Sequence, residues 1–255
     1  SNDYASWNWL AGTAISGATV GLGTLKTYTG SVNTTAGFSV IKYTGNGTAG
    51  HQFPHGLGVA PKMIMVKNTA SGSTGWYCYH KDIGAENVIY LNSTSGSSSA
   101  STVWNNSAPN SNSMPLGTNT GVNDNDTAHI AYCFAEKQGY SKFGSYIGNG
   151  STDGTFIYTG FKPAFVIYKG ASGSGTTDNW EMLDNKRTDG PIGNPKNETL
   201  YPNLNNAEGV NATDRMDFLS NGFKIRTGAG DYNASGSTYI YMAFGQSLVG
   251  SNNVP

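Results

Sequence analysis

The feature that most constrains this chain is an internal duplication. Gly37-Phe38-Ser39-Val40-Ile41-Lys42-Tyr43-Thr44-Gly45-Asn46-Gly47 is answered by Gly139-Tyr140-Ser141-Lys142-Phe143-Gly144-Ser145-Tyr146-Ile147-Gly148-Asn149-Gly150, with one inserted residue before Tyr146. Val59-Ala60-Pro61-Lys62-Met63-Ile64-Met65-Val66-Lys67 is answered by Phe161-Lys162-Pro163-Ala164-Phe165-Val166-Ile167-Tyr168-Lys169, and Trp76 by Trp180. The series ends with His129-Ile130-Ala131-Tyr132-Cys133-Phe134-Ala135 against Tyr239-Ile240-Tyr241-Met242-Ala243-Phe244-Gly245. Matches that keep their order along the chain are not chance, and a repeat has to be settled before any motif is weighed. The expected organisation is an N-terminal arm over 1–36, one repeat over 37–138, a second over 139–250 and a tail over 251–255.

Each copy reads as short strands. In the first they are expected near 38–44, 50–54, 62–67, 76–80, 87–91, 113–117 and 128–135. Their apolar bursts are rich in Tyr, Val, Ile and Phe, and turn residues separate them. Gly45-Asn46-Gly47 suits a positive-φ turn. Pro61 and Pro163 stand just before strands, where a missing N–H is tolerated. Ser93–Ala100 and the Ser/Gly run over 171–177 read as loops. No stretch has helical periodicity. The fold class is therefore all-β: two tandem, homologous antiparallel β-sandwich units of jelly-roll type, or one large sandwich to which each copy contributes strands of both sheets. The arm carries Trp7 and Trp9 and has little core of its own, so it is expected to pack against neighbouring protomers.

Composition narrows function by exclusion. A net charge of −1 makes no electrostatic case for nucleic acid or an anionic membrane. No apolar run approaches the roughly 18 residues of a membrane span. The chain does not begin with Met and shows no signal peptide, so it reads as a fragment or a processed product. The two cysteines define no disulfide framework. Cys78 and Cys133 align with Met182 and Ala243, which marks both as buried, inert thiols; pairing requires that their strands be neighbours.

Motifs that carry chemistry are thin. Gly45-Asn46-Gly47-Thr48-Ala49-Gly50 fits G-x-G-x-x-G, but a dinucleotide site needs a helix next, and His51-Gln52-Phe53-Pro54-His55-Gly56 follows instead. His51 and His55 stand at i, i+4 on a strand with no carboxylate or thiol nearby to complete a metal site, and the second copy has no histidine there. Asp124-Asn125-Asp126 lacks the rest of a calcium loop and reads as a polar turn. No nucleophile elbow, zinc-protease helix or Cys/His arrangement is present. Glu86, Glu181 and Asp184 are carboxylates of a kind that glycosidases pair, yet nothing in the sequence selects two of them. No catalytic, cofactor-binding or metal-binding residue is therefore expected, and no cofactor. Trp76 and Trp180 are assigned to the cores by their alignment. Trp104, in a loop-like run without a counterpart, and His55 are the candidates for surface recognition.

Several of these runs resemble one family. They are Thr35–Val40, Tyr43–Gly47, His55-Gly56-Leu57-Gly58-Val59-Ala60-Pro61-Lys62 and, most specifically, the long Ile130-Ala131-Tyr132-Cys133-Phe134-Ala135-Glu136-Lys137-Gln138-Gly139-Tyr140-Ser141-Lys142-Phe143-Gly144. They are similar to modules near the C-terminal end of bacteriophage tail-fibre-like structural proteins, including those of marine and cyanobacterial phages. The resemblance covers most of 30–250. It implies an extracellular, virion location, contact with other tail proteins and with a host-surface glycan or protein, and an elongated homo-oligomer, often a trimer. It brings no catalytic residues. The expected function is a non-catalytic structural or host-surface-binding module. The competing readings are a carbohydrate-binding lectin or adhesin domain and a polysaccharide depolymerase component.

Overall fold

The computed structural model describes residues 6–173, 178–187, 193–210 and 215–246. The expected tail over 251–255 and part of the loop over 171–177 lie outside them. Three strands precede the first repeat: β1 (Thr13–Ala18), β2 (Val20–Gly21) and β3 (Thr27–Asn33). The first repeat then contributes β4 (Phe38–Thr44), β5 (His51–Pro54), β6 (Met63–Asn68), β7 (Trp76–His80), β8 (Asn87–Tyr90) and β9 (Ser98–Ser99). A one-turn helix α1 (Ser101–Trp104), β10 (Ser113–Leu116), a second single turn α2 (Thr120–Asn123) and β11 (Ala128–Phe134) complete it. The seven expected strands fall within one residue of those observed.

The second repeat holds β12 (Ser141–Ile147), β13 (Phe156–Tyr158), β14 (Pro163–Ser172), β15 (Glu181–Asp184), β16 (Glu198–Thr199) and β17 (Gly209–Val210). It continues with β18 (Met216–Leu219), β19 (Gly222–Ile225), the turn α3 (Gly230–Asn233) and β20 (Thr238–Gly245). The two large sheets run β1-β3-β4-β11-β6-β7-β8-β9 and β12-β20-β14-β15. Within them the order β4-β11-β6-β7 recurs as β12-β20-β14-β15, as the duplication requires. Smaller sheets, β10-β5-β2 and β13-β19-β18, cover their outer faces.

Local details repeat as well. Gly47 and Gly150 adopt φ of 71° and 70° in matching turns. The backbone N–H groups of Asn46 and Asn149 donate to the side-chain oxygens of Asn123 and Asn233, each at 2.9 Å. Tyr43 and Tyr146 donate their hydroxyls to the carbonyls of Val122 and Tyr232, anchoring α2 and α3 to the sheets. Each copy thus ties its first strand to its last helical turn by the same two bonds.

Strand alternation sorts the side chains into three cores. Ile41, Tyr43, Ile64, Val66, Ala131 and Cys133 face the β10-β5-β2 sheet together with α1 and α2. Val166, Tyr168, Leu183, Tyr239 and Ala243 face the β13-β19-β18 sheet. The opposite faces of the two large sheets pack on each other: Phe38, Met63, Cys78 and Phe134 meet Phe143, Phe165, Trp180, Met242 and Phe244. Four layers result, and the middle core belongs to neither repeat alone. Among the described residues, four polar bonds cross this seam. Trp180 Nε1 donates to the Tyr90 carbonyl, His80 Nε2 meets the Tyr241 carbonyl, and Ser97 donates to the Ala171 carbonyl through both its amide and its hydroxyl.

The first 36 residues do more than enter. β3 and β1 extend the large sheet and β2 extends the small one. Trp7 and Trp9 pack within their own chain rather than waiting for another: Trp9 lies 5.3–6.3 Å from the rings of Phe38, Phe134, Phe165 and Phe244. It plugs one end of the middle core.

Candidate functional site

The best-formed concavity lies where the middle core opens to solvent beside the two N-terminal tryptophans. Its volume is about 480 Å³. From the first repeat, Val40, Met65, Trp76 and Tyr132 form one wall; from the second, Ile167, Met182 and Met242 form the other; Trp7, Trp9, Leu91 and Pro202 frame it. The wall is flat because strand pairing sets Val40 opposite Tyr132 and Tyr132 opposite Met65 on one face. The Trp76 and Tyr132 rings lie 6.1 Å apart, inclined at 33°. Among the described residues no charged side chain lines the cleft, and its walls are overwhelmingly apolar. Such a surface accepts an aliphatic or aromatic group by excluding water. A sugar needs more hydrogen-bonding groups than these walls present.

Trp76 is therefore not the core residue its alignment with Trp180 implied. Trp180 is buried, whereas Trp76 is half-buried on the cleft wall. The duplication kept the position, but the middle core closes over one indole and leaves the other at the opening.

The two residues singled out for surface recognition are both buried, so neither presents a surface. Trp104 ends α1 and lies edge-on to Tyr79 at 6.4 Å within the first repeat's outer core. The loop-like sequence around it conceals a single helical turn that folds the indole inward. His55 has Nε2 at 3.1 Å from the Asn110 carbonyl, while Nδ1 accepts from the Leu57 amide at 3.2 Å. That pattern requires a neutral ring protonated at Nε2, and burial holds its pKa below the ordinary histidine value. It is a structural ligand of a loop.

The remaining motifs resolve into scaffolding. The glycine-rich loop after β4 leads into strand β5, so no helix end is offered to a phosphate. Lys26 pairs with Asp126, and the Thr127 hydroxyl donates to Asp124, closing the acidic turn before β11. Among the described residues, no three His, Cys, Asp or Glu side chains converge as metal ligands do. Cys78 faces the middle core and Cys133 the first repeat's outer core, with β6 between their strands. They lie on opposite faces of one sheet and cannot pair. Burial pushes both thiols up to about 12, which makes them unreactive.

A polar cluster that sequence reasoning did not assemble sits in the second repeat. Tyr168 donates its hydroxyl to Glu181 Oε2 at 2.9 Å. Tyr232 and Asp231 of α3 stand beside it, and, beyond the effect of burial, the Asp231 charge raises the Glu181 carboxyl further. The Arg215 guanidinium covers the Tyr232 ring at 4.5 Å. Burial raises the pKa of Glu181 to about 8 and that of Asp231 above its usual range. The equivalent positions in the first repeat are Val66, Tyr77, Gly121 and Val122, where a Cβ on Gly121 would come within 2.1 Å of the Tyr77 ring. The pair was legible only by aligning the two copies at Tyr77 and Gly121, since Glu181 and Asp231 are far apart in sequence.

A four-layer, two-repeat all-β module with an apolar inter-repeat cleft is what fold and site together define. The chain belongs to the family described as a domain of unknown function (DUF7483), whose model matches residues 1–247. No curated protein matches the chain, and no solved structure does.

Proposed function

We propose that this chain is a non-catalytic structural and host-surface-binding module of a bacteriophage tail fibre, working as a homo-oligomer, most simply a trimer, on the virion. The observation that carries the reading is the run Ile130–Gly144, the most specific of the phage-like motifs. It forms the end of β11, the joint between repeats and the start of β12. Glu136 binds Lys142 and the Phe143 amide, the Ser141 hydroxyl donates to the Ala135 carbonyl, and Phe134, Tyr140 and Phe143 enter the middle core. A motif spent on holding two sandwiches together suits a mechanical module better than an enzyme. The cleft supplies the contact surface, and its walls favour an apolar side chain of a host-surface protein over a glycan.

Immunogold labelling of intact particles, with binding of the isolated chain to host cells, tests the reading. Label on the fibres and competition with phage adsorption are expected. Particles without the chain would overturn it. Release of new reducing ends from host polysaccharide would favour the depolymerase reading instead.

A further inference from the structure

The duplication exposes an asymmetry at the sheet edges. In the first repeat, β4 is covered on its outer side by β3, which pairs with it from Tyr28 opposite Tyr43 to Asn33 opposite Phe38. Its partner β5 is covered by β2 through Val20 and Gly21. Among the described residues the homologous strands of the second repeat have no such cover: β12 pairs only with β20, and β13 only with β19. On the β12 edge the Phe143 amide is taken by Glu136 and the Ile147 carbonyl by the Thr155 hydroxyl; the open stretch, at Ser145 and along β13, is flanked by exposed apolar side chains: Ile147 at 54%, Phe156 at 43% and Tyr158 at 64% exposure.

An unused edge of the complementary kind lies at the other end of the chain. Among the described residues β1 pairs only with β3; it carries no charge, proline or bulge, and is exposed along almost its whole length. Beside it Leu10, Leu22 and Leu25 are 73%, 64% and 53% exposed. Natural sheets guard open edges with charges, prolines or bulges, and an edge lacking all three is a template for another strand. On β12 the only charged side chain, Lys142, is already bound to Glu136 of the same chain. Beyond Phe143, whose amide Glu136 caps, both edges carry no charge, and the first repeat already shows what covers β4 and β5: uncharged strands rich in Gly, Ser, Thr and Tyr.

We infer that the β12–β13 edge is a docking surface for the β1 edge of a second copy of this chain, so that copies associate head to tail by continuing one sheet into the next. The missing cover and the spare edge are on the same molecule. Such contacts are heterologous, and they close into a ring where the rotation permits. The inference rests on the self-association part of the function proposed above and names its surface.

Sedimentation velocity on the full chain tests it with two folded variants, all four substitutions falling at exposed positions. Ile147→Lys with Tyr158→Lys charges the accepting edge, and Ser16→Lys with Ala18→Lys charges the donating edge. Each variant alone is expected to weaken self-association about 100-fold, since introduced charges must be desolvated against the facing edge, with the unfolding midpoint unchanged. An equimolar mixture is expected to form a 1:1 heterodimer and nothing larger, because each variant keeps the edge the other lost. Variants that associate like the wild type, or a mixture that stays monomeric while the wild type assembles, would overturn the inference and leave the homo-oligomeric fibre reading standing. A wild-type chain that is monomeric at its highest soluble concentration would overturn both the inference and the self-association. Host-cell binding by that monomer would then judge the remainder of the reading separately.

Discussion

The indole Nε1 of Trp180 donates to the main-chain oxygen of Tyr90, 2.9 Å away, across the seam between the two repeats. The bond fixes the one tryptophan that is wholly inside the middle core. Trp180→Phe removes the donor and leaves the Tyr90 carbonyl only the Ser93 amide, so a loss of roughly 1 kcal/mol is expected. Trp180→Ala adds a cavity and is expected to lose about 3–5 kcal/mol. Urea unfolding of both variants checks the order. Equal losses would show that the hydrogen bond, and not the cavity, sets the cost; no loss in Trp180→Phe would show that the seam is held by packing alone.

Stability should depend on pH in a direction set by two buried groups. Glu181 is raised to about 8 by burial and by the Asp231 charge, partly offset by the Tyr232 and Tyr168 hydroxyls and by Arg215. The folded state holds that proton more tightly than the unfolded chain, so stability is full below the ordinary carboxyl range and falls as pH rises toward 8. His80 is lowered to about 4 by burial, with Nδ1 accepting from the Asp82 amide and Nε2 at the Tyr241 carbonyl. Its contribution is present above the ordinary histidine value and is lost as pH falls toward 4. A stability plateau on the mildly acidic side of neutrality is expected, with a decline of a few kcal/mol by pH 8. Glu181→Gln should flatten the alkaline decline in thermal melts recorded across that range. A decline that persists in that variant would assign it to another group.

Thiol chemistry gives a simple check of sheet sidedness. Neither Cys78 nor Cys133 is expected to react with a bulky aromatic disulfide reagent in the native protein, and both should react once it is unfolded. No intramolecular disulfide should form under oxidising conditions, because β6 separates the strands and the side chains point to opposite faces.

Trp76 separates binding from folding. It is half-buried on the cleft wall and touches Tyr132 at the opening. Trp76→Ala should reduce affinity for host cells about tenfold or more, as for a typical aromatic anchor, while the middle core retains its packing. Host-cell pull-down alongside an unfolding curve measures both effects. Undiminished binding would remove the cleft from the proposed contact.

Much of the fold could be read from the chain because strands announce themselves locally. The Tyr43/Tyr146 and Gly47/Gly150 correspondences needed only the repeat and the demands of positive φ. What sequence could not supply was the layer order. Whether Phe38 and Phe134 face their own small sheet or the sister repeat depends on packing between elements far apart in the chain, and alternation is the same either way. Trp104 misled for a related reason: a four-residue helix is too short to show periodicity, so its inward turn was invisible. Trp7 and Trp9 looked unsupported because the aromatic rings that receive them, from Phe38 to Phe244, span nearly the whole sequence.

The middle core has a consequence for how this architecture can be inherited. Each large sheet turns an aromatic face, Phe38 with Phe134 on one and Phe165 with Phe244 on the other, that its sister covers and Trp9 closes at one end. Cutting the gene between Gln138 and Gly139 would not release two smaller modules; it would give two half-molecules with adhesive faces, prone to clump or to re-form the double layer with a stray twin. Recombination that shuffles such parts among genomes can succeed only by moving both repeats as one cassette. The smallest heritable piece is therefore the doublet, although the fold still records the single unit from which it grew.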